Sequence, residues 1–365
     1  MGVGQTLVLS GSTGCGKSEL ALALAERFNG EIVNADSVQL YKGHHIGAAA
    51  PEPKSMEKVP HHLYGVIPGN KSFDAKQYVE LATQSVAGIR DRGRLPIVVG
   101  GSTLYLEALL HGLAELPAAD EQLRGQLEKK KTAELFRDLE GLDPKRATEL
   151  HPNDRVRILR SLEVSLLTGV PFSEQSSKRG PSPLSGNVLT IVPLWSRATL
   201  YERIDSRSRK MVQSGLIEET GALYQQFGEE WQCRGALGYQ QTLAAILRDG
   251  EERIDREALV SEIAQFTRRY AKRQMTYWRN APKKFAMDFE PKEAAQGVEQ
   301  RGEERTDRGK PKEERKGFLA FHQSFEELVL AVLARFDSYD ERQVENEGGN
   351  TRAVMFSTAE GLGLQ

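Results

Sequence analysis

The stretch from Thr6 to Leu24 constrains this chain more than any other. TLVLS, a β-prone run, leads into GSTGCGKS and then into ELALAL, a run of good helix formers. Gly11, four residues, then Gly16, Lys17 and Ser18 satisfy the phosphate-loop pattern in the strand-to-helix context it requires. Gly11, Gly14 and Gly16 permit a sharp turn with N–H groups pointing inward, and the helix expected to begin near Lys17 adds its positive dipole end. With Ser12, Thr13 and Cys15 they form a cup for phosphate, in which Lys17 reaches the outer oxygens and the Ser18 hydroxyl stands where a magnesium ion bridges them. The bland alternative is an ordinary glycine-rich turn. The cup does not say which phosphate it holds, a nucleoside triphosphate or another diphosphate compound.

At 365 residues the chain has room for two domains, one of them large enough for an α/β core. A formal net charge of -2 implies no overall polyanion-binding character, so any nucleic-acid contact must come from local basic patches. Cys15 and Cys233 show no metal or disulfide spacing, which fits a reducing cytoplasm. Cys15 is either oxidation-sensitive or a passive small residue. With no charged-then-apolar leader and no apolar run near the roughly 18 residues of a membrane span, neither secretion nor membrane insertion is expected.

Residues 31–34, EIVN, read as a second strand ending at Asp36, Ser37, Val38 and Gln39. Ligands of open α/β sheets gather beyond the carboxyl ends of strands, so Asp36 should face the same crevice as the phosphate loop. It is a candidate base or merely the cap of the next turn. Residues 48–60, rich in alanine and proline, read as a loop; His44, His45, His61 and His62 lack metal-ligand spacing and read as loop histidines. Helical periodicity over 75–90 precedes a short buried strand, 96–99. Gly100 and Gly101 then let the backbone approach a ligand, and Ser102 offers its hydroxyl to the crevice. That strand carries no terminal Asp of the kind that completes a triphosphatase magnesium site, which counts against a motor or switch.

Residues 116–186 read as a helical insertion dividing an α/β core into 1–115 and 187–289. Within it Asn153 or Asp154 caps a helix running to Leu167, with Leu159, Leu162 and Leu166 on an apolar stripe and Arg157 and Arg160 on another face. A later helix, 257–278, should bury Leu259, Ile263, Phe266 and Tyr270. Its last turns gather Arg268, Arg269, Lys272, Arg273 and, just beyond, Arg279 beside Tyr277 and Trp278, the footprint of a nucleic-acid contact. Residues 290–317 read as a charged disordered linker, 318–337 as one more helix and 338–365 as a disordered tail.

In order, GSTGCGKS, NADSVQLYKG (34–43), VPHHL (59–63), LPIVVGGSTLY (95–105), HPNDRVRILRSLEV with TGVPFS (151–173) and RRYAKRQMTYWR (268–279) resemble the bacterial-type tRNA dimethylallyltransferases. The resemblance implies a P-loop NTPase-like fold. It also implies transfer of a dimethylallyl group from dimethylallyl diphosphate to the exocyclic N6 amine of the adenosine 3′-adjacent to the anticodon, in tRNAs reading codons that start with U. It makes Asp36, Lys17 and Ser102 the catalytic group and puts a magnesium ion, Mg2+, on Ser18. It assigns tRNA contacts to Asp36, Ser37, Val38, Gln39, Ser102, Arg124, Val156, Arg157, Ile158, Leu159, Arg160, Lys272, Arg273, Gln274 and Arg279. The expected partners are the tRNA anticodon stem-loop and the prenyl donor, met by a cytoplasmic monomer.

Some positions depart from the family pattern. Ala48 and Ala50 stand where the family has Thr and Lys, Ser102 where it has Thr, and Gly235 where it has Arg, with Arg234 one place earlier. Two other readings stay in view. An adenylate isopentenyltransferase would use the same loop and Asp on free nucleotide, yet needs neither the helical insertion nor the basic segment. A nucleotide-dependent RNA-binding switch should carry the terminal Asp and a guanine-reading NKxD.

Overall fold

The computed structural model describes residues 5–184, 186, 188–280, 320–322 and 351–358. Its strands are β1 (Thr6–Leu9), β2 (Gly30–Asn34), β3 (His61–His62), β4 (Leu95–Val99), β5 (Val188–Leu194), β6 (Ala320–His322) and β7 (Thr351–Thr358), all parallel in the order β3-β2-β4-β1-β5-β7-β6. β1, β2 and β4 are buried at every residue, as strands covered on both faces should be; β1 and β4 are mostly apolar, whereas β2 also buries Glu31 and Asn34.

The helices are α1 (Lys17–Phe28), α2 (Pro53–Lys58), α3 (Ala75–Asp91), α4 (Thr103–His111), α5 (Glu121–Glu128), α6 (Thr132–Leu142), α7 (Pro144–Glu149), α8 (Arg155–Thr168), α9 (Phe172–Ser176), α10 (Arg197–Gln213), α11 (Leu216–Phe227), α12 (Tyr239–Asp249) and α13 (Arg256–Asn280). Local chemistry sets several boundaries. Asp74 and Gln77 form a reciprocal capping box at the start of α3, Asp154 accepts from Arg157 N–H at the start of α8, and Ser196 accepts from Thr199 N–H at the start of α10. α1 lays Leu20, Ala21, Leu24 and Ala25 against Leu7, Leu9, Ile32, Ile97 and Val99 of the sheet. One compact unit comprises the residues up to Leu106 with those from Ser185 onward; a second runs from Glu107 to Leu184 and is helical.

Several sequence expectations meet a different structure. The loop expected over 48–60 contains α2, begun by Pro53 in the first turn, where its missing N–H costs nothing. On α13, Phe266 is exposed; the buried stripe runs through Leu259, Val260, Ile263, Ala264, Ala271, Gln274, Met275 and Trp278. Leu166 on α8 is likewise exposed, and Ile158 takes the buried place beside Leu162. Of the helix expected over 318–337, residues 320–322 form β6 and the others lie outside the described residues; within the tail expected to be disordered, 351–358 form β7, paired with β5 from Val188↔Thr351 to Leu194↔Ser357. TRAVMFST is rich in β-branched and aromatic residues, and the side of β5 away from β1 offers it a ladder of backbone groups. The linker expected over 290–317 lies outside the described residues.

Candidate active site

β1 delivers the chain into a loop whose Gly11, Gly14 and Gly16 have φ of 139°, 80° and 86°, a region closed to ordinary side chains without strain. Cys15 is fully buried, and a Cβ on Gly11 would stand 3.1 Å from its Sγ, so of its two readings the packing role is the one the structure supports. Several outside groups clamp the loop. Trp195 Nε1–H donates to Cys15 O at 2.8 Å, Arg203 Nε–H to Gly14 O at 2.8 Å and Arg207 Nη1–H to Thr13 Oγ1 at 3.2 Å. Gln274 Oε1 accepts from Thr13 N–H at 2.8 Å. Inside the loop, Lys17 Nζ donates to Ser12 O at 2.8 Å and Gly11 O at 3.2 Å. The Ser18 hydroxyl is exposed at the head of α1 and makes no hydrogen bond among the described residues.

Asp36 follows the end of β2 and combines both of its sequence readings. Its Oδ1 accepts from Val38 N–H at 2.9 Å and Gln39 N–H at 3.4 Å, capping the turn, while Oδ2 accepts no hydrogen bond among the described residues. Asn34 fixes the backbone beneath it, accepting Asp36 N–H at 2.8 Å and donating to Asp36 O at 3.1 Å. Ser102 Oγ accepts from Ser37 N–H at 2.9 Å, and Ser102 N–H donates to Ala35 O at 3.2 Å. The hydroxyl expected in catalysis thus joins the ends of β2 and β4. The paired glycines also pack closely within the protein: a Cβ on Gly100 would fall 2.0 Å from Ala35 O, and one on Gly101 3.0 Å from Gln274 Nε2.

The charge of Asp36 is felt across this crevice. Burial lowers the proton affinity of the Arg207 guanidinium, and Asp36 opposes that shift. Burial, reinforced by Asp36, pushes the Cys233 thiol up to about 12 and the Tyr64 phenol up as well. Arg207 is thus bonded to the phosphate loop and feels the charge of Asp36. Phosphate loop, Asp36 to Gln39, Ser102 and α13 are brought together in the first compact unit.

The expected RNA-contact residues divide. Lys272 and Arg273 are exposed on α13, Arg273 lying 5.6 Å from the centre of the Tyr270 ring. Gln274, expected beside them, is buried and turned toward the phosphate loop. Arg268 is engaged with Asp205. The side chain of Arg279 lies outside the described set. Gln39 spends its amide on Ala48 O at 2.9 Å and Ala49 O at 3.1 Å.

In the helical unit, Val156 is 79% exposed and Arg157 is exposed beside Asp154, whereas Ile158 is fully buried and Leu159 partly so. Arg124 and Arg160 converge on the buried Glu163, donating to its Oε2 at 2.8 and 2.7 Å, and Arg160 also donates to Pro117 O at 2.6 Å. Those two arginines hold the unit together.

Sequence reasoning missed Arg203, Arg207 and Glu219. The arginines sit one turn apart on α10 beside the buried Leu200 and Ile204, a spacing that could have flagged a shared face. Glu219 accepts from the N–H groups of His45, Ile46 and Gly47 and from the Tyr239 hydroxyl, so it anchors the segment carrying Ala48 and Ala50. A pairing over more than 170 residues leaves no local trace.

Among the described residues no helix is long and apolar enough to cross a membrane, and no group of three or more His, Cys, Asp or Glu could hold a metal ion. The family model described as IPP transferase matches residues 39–281. The chain is 43% identical over 291 residues to tRNA dimethylallyltransferase 1 of Citrifermentans bemidjiense, covering 77% of this chain and 94% of that one. It is 42% identical over 282 residues to tRNA dimethylallyltransferase of Halorhodospira halophila, covering 75% and 89%. Among solved structures it resembles the tRNA isopentenylpyrophosphate transferase of Bacillus halodurans, with 35% identity, a TM-score of 0.54 and coverage of 76% and 87%. It also resembles a eukaryotic dimethylallyltransferase captured acting on tRNA, with 28% identity, a TM-score of 0.64 and coverage of 75% and 69%. A phosphate loop without triphosphatase carboxylates, an aspartate beyond the next strand and this degree of likeness lead to one conclusion: the chain belongs to the IPP transferase family, among the tRNA dimethylallyltransferases.

Proposed function

We propose that this protein transfers a dimethylallyl group from dimethylallyl diphosphate to the N6 amine of the adenosine 3′-adjacent to the anticodon in tRNAs reading codons that start with U. The observation that carries the reading is a chain of contacts: Gln274 bonds Thr13 N–H of the phosphate loop and Gly101 O, and the adjoining Ser102 Oγ accepts from the N–H of Ser37, next to Asp36.

The donor's diphosphate sits in the loop, and the adenosine leaves its stack to reach the donor carbon. The N6 lone pair forms the new C–N bond as the allylic C–O bond breaks, and the diphosphate departs with that electron pair. Lys17, Arg207 and the N–H groups heading α1 neutralise the charge building on the leaving oxygens. The Oδ2 of Asp36 takes the proton lost by the amine, while Oδ1 stays bound to Val38 and Gln39 and keeps the carboxylate aimed. A bound magnesium ion would add neutralisation at the diphosphate. Ser18 would hold it: an exposed hydroxyl at the helix head is the hard oxygen donor such an ion prefers, with phosphate oxygens and water completing the shell. The protein works as a monomer in the cytoplasm.

The test is transfer of labelled dimethylallyl diphosphate to unmodified tRNA or to AMP. Label in tRNA alone is expected. Label in AMP but not tRNA would make the protein an adenylate isopentenyltransferase, and nucleotide turnover without prenyl transfer would make it a switch.

A further inference from the structure

The side chain of Gln274 makes two bonds that end on two different parts of the site. Its Oε1 accepts Thr13 N–H at 2.8 Å, and its Nε2 donates to Gly101 O at 3.1 Å. The orientation of the amide is fixed by chemistry, since a backbone N–H demands the oxygen and a carbonyl demands the NH2. The contact is buried, with Gln274 only 4% exposed. The packing opposite is tight: a Cβ on Gly101 would lie 3.0 Å from Nε2 and 4.0 Å from Lys17 Nζ. Meanwhile Lys272 and Arg273, two and one residues earlier on the same helix, are exposed.

We infer that Gln274 is a positioning residue for the prenyl donor: it fixes the phosphate loop and the β4–α4 turn on the helix whose exposed turn meets RNA, and touches no RNA itself. Thr13 is held at its N–H by Gln274 and at its hydroxyl by Arg207, so the chain is fixed where it turns into the cup. Without the amide, the Thr13 N–H and Gly101 carbonyl lose their partner in a buried place, and the loop relaxes toward conformations that satisfy them differently. The cup is then occupied in a competent shape only part of the time, which lowers apparent affinity by that fraction. No other uncharged side chain of this length offers both a donor and an acceptor.

The inference rests on the donor reading above, and its test separates the two. In the full chain, Gln274→Met removes both bonds at similar size, and Gln274→Glu keeps the acceptor for Thr13 while opposing Gly101 O with a second acceptor. Binding of inorganic pyrophosphate with magnesium is measured by calorimetry, binding of an anticodon stem-loop RNA by fluorescence anisotropy across a salt series, and KM for dimethylallyl diphosphate by transfer. Expected for both variants is pyrophosphate binding weakened roughly tenfold or more and a donor KM raised in parallel, with RNA affinity and salt slope within about twofold of the parent. Should Gln274→Met fail to fold, Gln274→Glu carries the same expectation. RNA binding weakened with donor binding unchanged would make Gln274 an RNA contact and overturn the inference; so would parental values throughout. A parent that binds pyrophosphate but transfers nothing to RNA would sink the functional reading instead, while the pyrophosphate comparison still decides the role of Gln274.

Discussion

The indole N–H of Trp231 donates to His44 Nε2 at 2.7 Å, and both side chains are buried. The acceptor nitrogen carries no proton, so the one on Nδ1 goes to Lys42 O at 2.9 Å and the imidazole is neutral. Tyr239 stands edge-on to both rings and fills the space over Gly47, where a Cβ would fall 2.4 Å from its ring. This buried group therefore fixes the segment that Glu219 anchors.

It also makes the fold sensitive to pH. Burial holds His44 below its ordinary 6.5, against the opposing pull of its Lys42 bond and of Glu219. A depressed folded value means the unfolded chain binds the proton more readily. The stabilisation is thus complete above about pH 6.5 and lost as pH falls through the folded value. Urea melts between pH 8 and pH 5 should show that loss. His44→Gln should be about 1 to 3 kcal/mol less stable at pH 8, with a shallower pH dependence; an unaltered profile would refute the assignment.

Asp36→Asn separates the two tasks of one carboxylate. The amide oxygen still caps Val38 and Gln39, but the base is gone. Turnover should fall on the order of a hundredfold or more while stem-loop affinity stays near the parental value. Single-turnover transfer with saturating donor is the measurement, and full activity would reduce Asp36 to a cap.

Exposed and internal arginines should behave differently. Replacing Lys272 and Arg273 together by alanine should weaken stem-loop binding and reduce the slope of log affinity against log salt by roughly 1 to 2. Arg160→Ala should instead destabilise the helical unit by about 2 kcal/mol, because the buried Glu163 loses one of its cations. Salt titrations and denaturant melts of both variants distinguish the roles.

Glu31, buried at the start of β2, meets Arg92 at 2.7 Å, His62 at 2.6 Å and Arg94 at 3.2 Å. Burial alone would raise its carboxyl, but the bond from Arg92 and then that from His62 outweigh it and leave it below its usual 4.5. Its stabilisation is present above about pH 4.5 and lost as pH falls through the folded value. Glu31→Gln should cost about 3 kcal/mol near neutrality, the gap to the parent closing in acid. Guanidinium melts at pH 7 and pH 3.5 test this.

What could be read in the sequence was local. The glycines at 11, 14 and 16 and the helix formers after Lys17 dictate the cup because backbone conformation and helix propensity act over a few residues. The β-prone runs at 6–10, 31–34 and 96–99 marked three strands of the sheet from local composition. Charge and spacing also marked Asp36, Lys272 and Arg273. Only the tertiary structure could reveal which side each polar group serves. Gln274 and Lys272 are two residues apart, yet one is buried against Thr13 and the other faces solvent; Arg160 and Arg157 differ in the same way around Glu163. A hydrogen bond between residues far apart in the chain depends on packing that no sequence window contains. The sequence therefore determined the chemistry on offer, and the fold decided whether each group is spent holding the site together or presented to a substrate.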